Sequence, residues 1–302
     1  MAAPGAGVAA AVRATGPWTT DRRGAPMTEE VYLPAWSEPF VGDRRVRLER
    51  AIPVIGIDRE AAFGGADGTG LTVAIIDSGV ERDHPAVGGR LVASVRVEPG
   101  DEDPVVLDDP DALDVVGHGT ACAGIIHALA PGADLISVRV LGPDNRGKGT
   151  IFAAGLEWAI EHGASVVNLS LSSKSDALFA VFHELADEAY FANVLLVSAA
   201  NNVPGASYPS LFASVVSVAA HDVADAWTWY YNPRPPVEFG AYGLDVEVAW
   251  KDGGRIVATG NSFAAPHVAG LCALIRSKHP TATPFEVKAI LAATSNGARA
   301  GG

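Results

Sequence analysis

The stretch Gly260-Asn261-Ser262-Phe263-Ala264-Ala265-Pro266-His267-Val268-Ala269-Gly270 constrains this chain more than any other. It joins a glycine-led turn to an apolar run, Val268 to Ile275, that reads as a helix. Pro266 fits the first turn of such a helix, where a missing N–H costs little. A serine at that junction has its Oγ held out by the turn, among backbone N–H groups that favour developing negative charge. A nucleophile needs those conditions. An ordinary capping serine meets them equally well, so the stretch does not decide the matter alone.

Two earlier stretches shift the balance. Val73-Ala74-Ile75-Ile76-Asp77-Ser78-Gly79 is a β-branched apolar run that ends on an aspartate and a glycine. Gly117-His118-Gly119-Thr120-Ala121-Cys122-Ala123-Gly124 sets a histidine between glycines at the head of an apolar helix. The order along the chain is therefore Asp77, His118, Ser262, the order in which subtilisins carry their triad. The three stretches resemble the DSG, HGT and GTSMAAPHVAG motifs of the subtilisin-like (S8) serine proteases. The resemblance runs from about Ile55 to Ser295. It implies a subtilisin-like three-layer α/β fold, with a mostly parallel central sheet and helices on both faces. The alternation of strand-like and helix-like segments points independently to such a sheet.

By resemblance, Ser262 attacks a scissile carbonyl, His118 takes and returns the proton, and Asp77 fixes the histidine tautomer. The family pattern AAGN appears as Ala199-Ala200-Asn201-Asn202, which makes Asn202 the side-chain donor to the oxyanion. Asn201 stands where the pattern has glycine and is the alternative donor. Peptide is expected to add as a strand between Asn145-Arg146-Gly147 and Ser170-Leu171-Ser172. Leu171 and Ala199-Ala200 are expected to wall the P1 pocket, with Ser207 near its base and Val203 at its rim. None of these is charged, so a neutral P1 side chain follows. Gly149 stands where relatives often have a bulky aromatic, which suggests an open S4 pocket. Arg146 and Lys148 at that rim either favour acidic residues upstream or are plain solvated charges.

The chain has 302 residues, 48% of them hydrophobic, enough for one large core. A net charge of -13 argues against nucleic acid or an anionic membrane as partner, and no apolar run reaches the roughly 18 residues of a membrane span. Residues 1–26 read as a disordered tail, 27–54 as a short extension too small for a folded prodomain, and 55–302 as the peptidase domain. The N-terminus lacks the pattern of a secretory signal, so a cytoplasmic location is expected. The two cysteines, Cys122 and Cys272, read as a buried, unbonded thiol pair. Acidic residues from Glu98 to Asp114 read as a solvated loop that matches no Ca²⁺-loop spacing. The helix after His118 lacks the calcium-loop insertion found in many subtilisins, so neither metal nor cofactor is expected.

A cytoplasmic protease must spare its neighbours, which motivates a narrow substrate such as the leader of a modified peptide natural product. An acyl-transferring enzyme, or a non-catalytic binding protein on the same fold, is the alternative.

Overall fold

The computed structural model describes residues 6–7, 11–12, 33–37, 40–42 and 56–297. In chain order these form β1 (Ala6–Gly7), β2 (Ala11–Val12), α1 (Arg59–Phe63), β3 (Thr72–Asp77), β4 (Leu91–Glu98), β5 (Val105–Asp108), α2 (His118–Leu129) and β6 (Asp134–Arg139). There follow β7 (Arg146–Gly147), α3 (Gly149–Glu161), β8 (Val166–Leu169), α4 (Phe179–Phe191), β9 (Leu195–Ala199), β10 (Val216–His221), β11 (Trp229–Tyr231) and β12 (Phe239–Tyr242). The last elements are β13 (Val246–Trp250), β14 (Gly254–Thr259), α5 (Asn261–Lys278) and α6 (Pro284–Ala293).

The main sheet has nine strands in the order β11-β12-β10-β9-β8-β3-β6-β4-β5. Strands β12 through β4 are mutually parallel; β11 and β5 close the edges antiparallel. A sheet buried on both faces needs apolar residues at successive positions, and β3 supplies them. Val73 and Ile75 pack with residues of α1, α2, α5 and α6 on one face. Ala74 and Ile76 pack with α3 and α4 on the other. This is the expected three-layer architecture. From β3 the chain visits β4 and β6 on one side and then, through α3, β8 on the other. The carboxyl end of β3 thus lies where the strand order reverses, the place where open α/β sheets form their clefts.

Several local expectations are corrected. The segment Glu98 to Asp114 is not one solvated loop, because Val105–Asp108 pairs antiparallel with β4. Asp109 is buried there and paired with Arg139 and Arg96. The strand expected over Phe212 to Ala219 begins only at Val216, after a turn closed by Val215 N–H on the Phe212 carbonyl. Within residues 1–26, Ala6–Gly7 pairs with β7 and Ala11–Val12 with β14; the rest of that stretch, and most of 27–54, lies outside the described residues. The aromatic cluster near Trp229 is packing. The Trp229 indole is buried and donates to the Leu291 carbonyl at 2.8 Å, while the Arg59 guanidinium lies 4.0 Å over its ring. Among the described residues no helix is long and apolar enough to cross a membrane.

Two predictions follow from the helices. α2 runs unbroken from His118 to Leu129, with Ala86 and Ala249 packed on it at Gly124. A calcium loop has no break in which to sit, so a chelator should move Tm by less than about 2 °C, because only a ligand of the native state raises it. A larger fall, reversed by Ca²⁺, contradicts this. In α5, burial pushes His267 down to about 4, and its Nδ1 donates to the Phe263 carbonyl at 2.9 Å. The folded state therefore binds fewer protons than the unfolded chain below pH ~6.5, and stability falls as pH drops from there towards 4. The term is roughly 3 kcal/mol when complete. In thermal melts His267→Gln should lose less Tm than wild type between pH 6.5 and 4; parallel slopes contradict the assignment.

Candidate active site

Asp77 is the last residue of β3 and is fully buried. His118 opens α2, and its Nδ1 lies 2.9 Å from each Asp77 carboxylate oxygen. The ring's other nitrogen, Nε2, lies 3.0 Å from Ser262 Oγ. With Nδ1–H donating to the carboxylate, Nε2 is left to accept the serine hydroxyl. The close approach is built from glycine. A Cβ on Gly119 would stand 2.0 Å from the Gly79 carbonyl oxygen and 3.1 Å from Asp77 Cβ. Any larger residue there would push His118 off β3.

Asp114 holds the two loops in register. Its Oδ1 accepts from Ser78 Oγ and from the N–H groups of Val116 and Gly117. Its Oδ2 accepts from the Thr120 N–H and hydroxyl. The residue beside Asp77 and the residues flanking His118 are thereby tied to one buried carboxylate. By its sequence context Asp114 is one more solvated acid, yet it is buried. A lone aspartate shortly before a helix start was the available signal, and it was hidden by its acidic neighbours.

Burial opposes protonation of His118, but the Asp77 carboxylate overcomes this and holds the imidazole well above its usual range. Burial pushes the Cys122 thiol up, so it stays a thiol, 3.3 Å from Ser170 Oγ. Asp77, His118 and Cys122 each place one possible ligand atom within 4.8 Å of the others. Both Asp77 oxygens accept from His118, and Cys122 Sγ lies within reach of Ser170 Oγ and the Ser262 carbonyl, so the three residues belong to one hydrogen-bond network. Cys272 is likewise free and buried, its thiol pushed up to about 12 by burial.

α5 begins one residue before Ser262, so Pro266 lies in its second turn and not its first. Proline there leaves the carbonyl four residues back, that of Ser262, without its helical N–H. Ser170 Oγ fills the vacancy at 2.8 Å, with Cys122 Sγ at 3.7 Å. The Ser170 side chain, expected to bind substrate, is thus bonded to the Ser262 backbone, while Ser170 also lines the cavity beside Ser262. Ser262 N–H belongs to the first turn of α5, where no intrahelical acceptor exists.

Asn202 and Asn201 behave differently. Asn202 Oδ1 accepts from the Asn261 N–H at 2.9 Å, which leaves its amide nitrogen turned elsewhere. That nitrogen and Ser262 Oγ lie 3.4 and 3.3 Å from the point where a Cβ on Gly260 would stand. Asn201 Oδ1 accepts from the Val203 N–H, and its Nδ2 points at Ser172 Oγ, 3.5 Å away. Of the two amide nitrogens, that of Asn202 shares the surroundings of Gly260 with Ser262 Oγ.

Beside Ser262 lies a cavity lined by Ser170, Leu171, Ser172, Ala199, Ala200, Asn201 and Asn202, none of them charged. Ser207 is not part of that lining. Its buried hydroxyl faces the Asn201 N–H at 3.4 Å and Ser210 Oγ at 2.7 Å, and so braces the turn from behind. Arg146 and Gly147 form the edge strand β7, and Asn145 precedes it with φ 57°. That edge accepts an antiparallel strand, since Ala6 pairs with Gly147 and Gly7 with Arg146. The space over Gly149 is not open: a Cβ there would stand 1.9 Å from Leu178 Cδ1. Leu178 comes from a distant loop, and nothing in the local sequence signals its arrival.

A family model described as the subtilase family (peptidase S8) matches residues 68–301. The chain is 34% identical over 235 residues to subtilisin BL of Lederbergia lenta, covering 74% of this chain and 82% of that protein. It is 32% identical over 241 residues to a thermostable alkaline protease of Halalkalibacterium halodurans, covering 76% of this chain and 63% of that one. Among solved structures, a cold-adapted subtilisin-like serine proteinase superposes with a TM-score of 0.62 at 27% identity, covering 82% of this chain and 90% of its own. With the three motifs, the sheet order and the Asp77–His118–Ser262 array all in agreement, the chain belongs to the subtilase family of serine peptidases.

Proposed function

We propose that this protein is a serine endopeptidase that uses Asp77, His118 and Ser262 as its triad and Asn202 as oxyanion donor. The observation that carries the reading is the continuous line from the Asp77 carboxylate through both nitrogens of His118 to Ser262 Oγ. Neutral His118 accepts the hydroxyl proton as Ser262 Oγ bonds to the scissile carbonyl carbon. The oxyanion that forms is met by the Ser262 N–H and Asn202 Nδ2, donors fixed before the reaction begins. Collapse expels the amine, which leaves with the proton from His118; water then enters by the same route in reverse. Asp77 keeps the proton on Nδ1 and stabilises the imidazolium.

Substrate adds to β7 as an antiparallel strand, with Asn145, Arg146 and Gly147 on one side and Ser170, Leu171 and Ser172 on the other. The pairing of Ala6–Gly7 with that edge supports this docking mode. It also favours a narrow substrate, such as one peptide natural-product leader, because an incoming peptide competes with the chain's own strand. Two unbonded thiols suit action in a reducing, cytoplasmic compartment.

Ser262→Ala and His118→Ala should each lower kcat for a peptide substrate by ~10³-fold or more with the melting curve preserved. Turnover near the wild-type value in either variant overturns the triad. Because His118 must be neutral to act, and Asp77 holds it above its usual range, kcat/KM should rise through pH 7 into the alkaline range. Removal of the carboxylate in Asp77→Asn should move that limb to lower pH and cost about 10⁴-fold in kcat. An unmoved limb contradicts His118 as the base. A peptide-library profile should show a neutral P1 residue, since a charge entering the Leu171–Ala200 cavity loses water and meets no counter-charge. Preference for Arg, Lys, Asp or Glu at P1 contradicts this.

A further inference from the structure

A segment far from the triad in sequence is fastened to Asn202 and to Asn261, the residue before Ser262. Among the described residues 33–37 and 40–42, the Ser37 N–H donates to the Pro34 carbonyl and the Phe40 N–H to the Ser37 carbonyl. Phe40 is fully buried among Ala200, Ala219 and Val237, against Trp36 and Tyr230. Its ring fills the place of a missing side chain, since a Cβ on Gly240 would stand 2.3 Å from it. The anchor therefore has a fixed depth. Gly42 N–H adds a bond to Asp222 Oδ2 at 3.1 Å.

From this anchor the segment reaches the site at two points. The Ala35 N–H donates to the Asn202 carbonyl at 2.8 Å. The Ala35 carbonyl accepts from Asn261 Nδ2 at 2.9 Å, and Ser37 Oγ donates to Asn261 Oδ1 at 3.1 Å. Asn261 is fully buried and is also bonded to the Ala200 carbonyl and the Ala220 N–H. Its own N–H holds Asn202 Oδ1. Asn261 stands where the GTSMAAPHVAG motif has threonine, whose shorter side chain lacks the amide that bonds the Ala200 and Ala35 carbonyls. The amide plane of Asn202 is thus fixed at its backbone by Ala35 and at its side chain by Asn261, and both partners are held by one strap.

We infer that the segment carrying Ala35, Ser37 and Phe40 is a positioning strap for the oxyanion site, acting on catalysis through Asn261 and Asn202. The inference rests on Asn202 being the oxyanion donor. None of the three touches the reacting atoms. Their contribution is to keep Asn202 Nδ2 where charge develops, an effect seen in the transition state and not in substrate binding. A displacement of about 1 Å at such a donor is enough to cost up to ~10²-fold in rate.

The test is a double-mutant cycle in the full-length chain on a chromogenic peptide anilide. Ser37→Ala and Phe40→Ala, made separately, should each lower kcat about 10-fold, with KM within ~2-fold of wild type. Asn202→Ala should lower kcat ~10²–10³-fold, the range known for such a donor in a subtilisin. Added to Asn202→Ala, either strap substitution should change kcat by less than about 2-fold, because the group it positions is gone. If Phe40→Ala does not fold, Ser37→Ala decides alone. Strap variants with wild-type kcat, or losses that multiply undiminished in the Asn202→Ala background, overturn the strap while leaving the peptidase standing. Absence of Ser262-dependent hydrolysis in the wild type overturns the peptidase reading and the strap together.

Discussion

A carboxylate buried without partners costs several kcal/mol, and Asp77 sits at the end of a central strand with no exposure to water. The surroundings of Asp77 meet that demand. Both of its oxygens accept from His118 Nδ1, and Oδ1 also takes the Ser78 N–H at 2.7 Å. The second buried carboxylate, Asp114, pins Ser78 and the His118 helix to each other. The same arrangement that solvates Asp77 sets the tautomer and basicity of His118. Stability of the β3 terminus and reactivity of the imidazole are therefore one interaction seen from two sides.

Ser262 is held by a comparable economy of groups. Pro266 withholds one N–H from α5, and the freed Ser262 carbonyl takes the Ser170 hydroxyl. That links α5 to the residue after β8 and fixes Ser262 from its backbone, leaving Oγ to His118. On the opposite side Asn261, next in chain to the nucleophile, ties α5 to the Ala200–Asn202 turn. Ser262 is thus braced through its own carbonyl by the Ser170 hydroxyl and through its neighbour Asn261 by Asn202 Oδ1 and the Ala200 carbonyl, as a preorganised site requires.

Much of this was legible in the sequence, for definite reasons. The β3 run of Val73 to Ile76 has no polar interruption, so a strand buried on both faces was its only economical reading. His118 and Ser262 each follow a glycine at the head of an apolar run, a local signature of a residue exposed at a helix start. What was missed depends on contacts between segments distant in the chain. Asp114 looks like its solvated neighbours until Ser78 and Thr120 are brought to it. Ser207 looked like a cleft residue, but its hydroxyl braces the Asn201 turn from behind; Ser170 lines the cavity, yet its hydroxyl is spent on the Ser262 carbonyl. Gly149 suggested open space that Leu178 fills from another loop. Phe40 and Ser37 gave no sign of their role, because Gly240 and Asn261 lie some two hundred positions away.

The central claim is that Asp77 and His118 together make the hydroxyl of Ser262 a nucleophile. Mass spectrometry of the intact protein after treatment with a fluorophosphonate, followed by peptide mapping, tests it most directly. The account predicts a single covalent adduct on Ser262 in the wild type, formed at a rate that rises with pH and falls sharply in His118→Ala. No adduct in folded wild-type protein, or an adduct on Ser262 formed equally fast without His118, contradicts it.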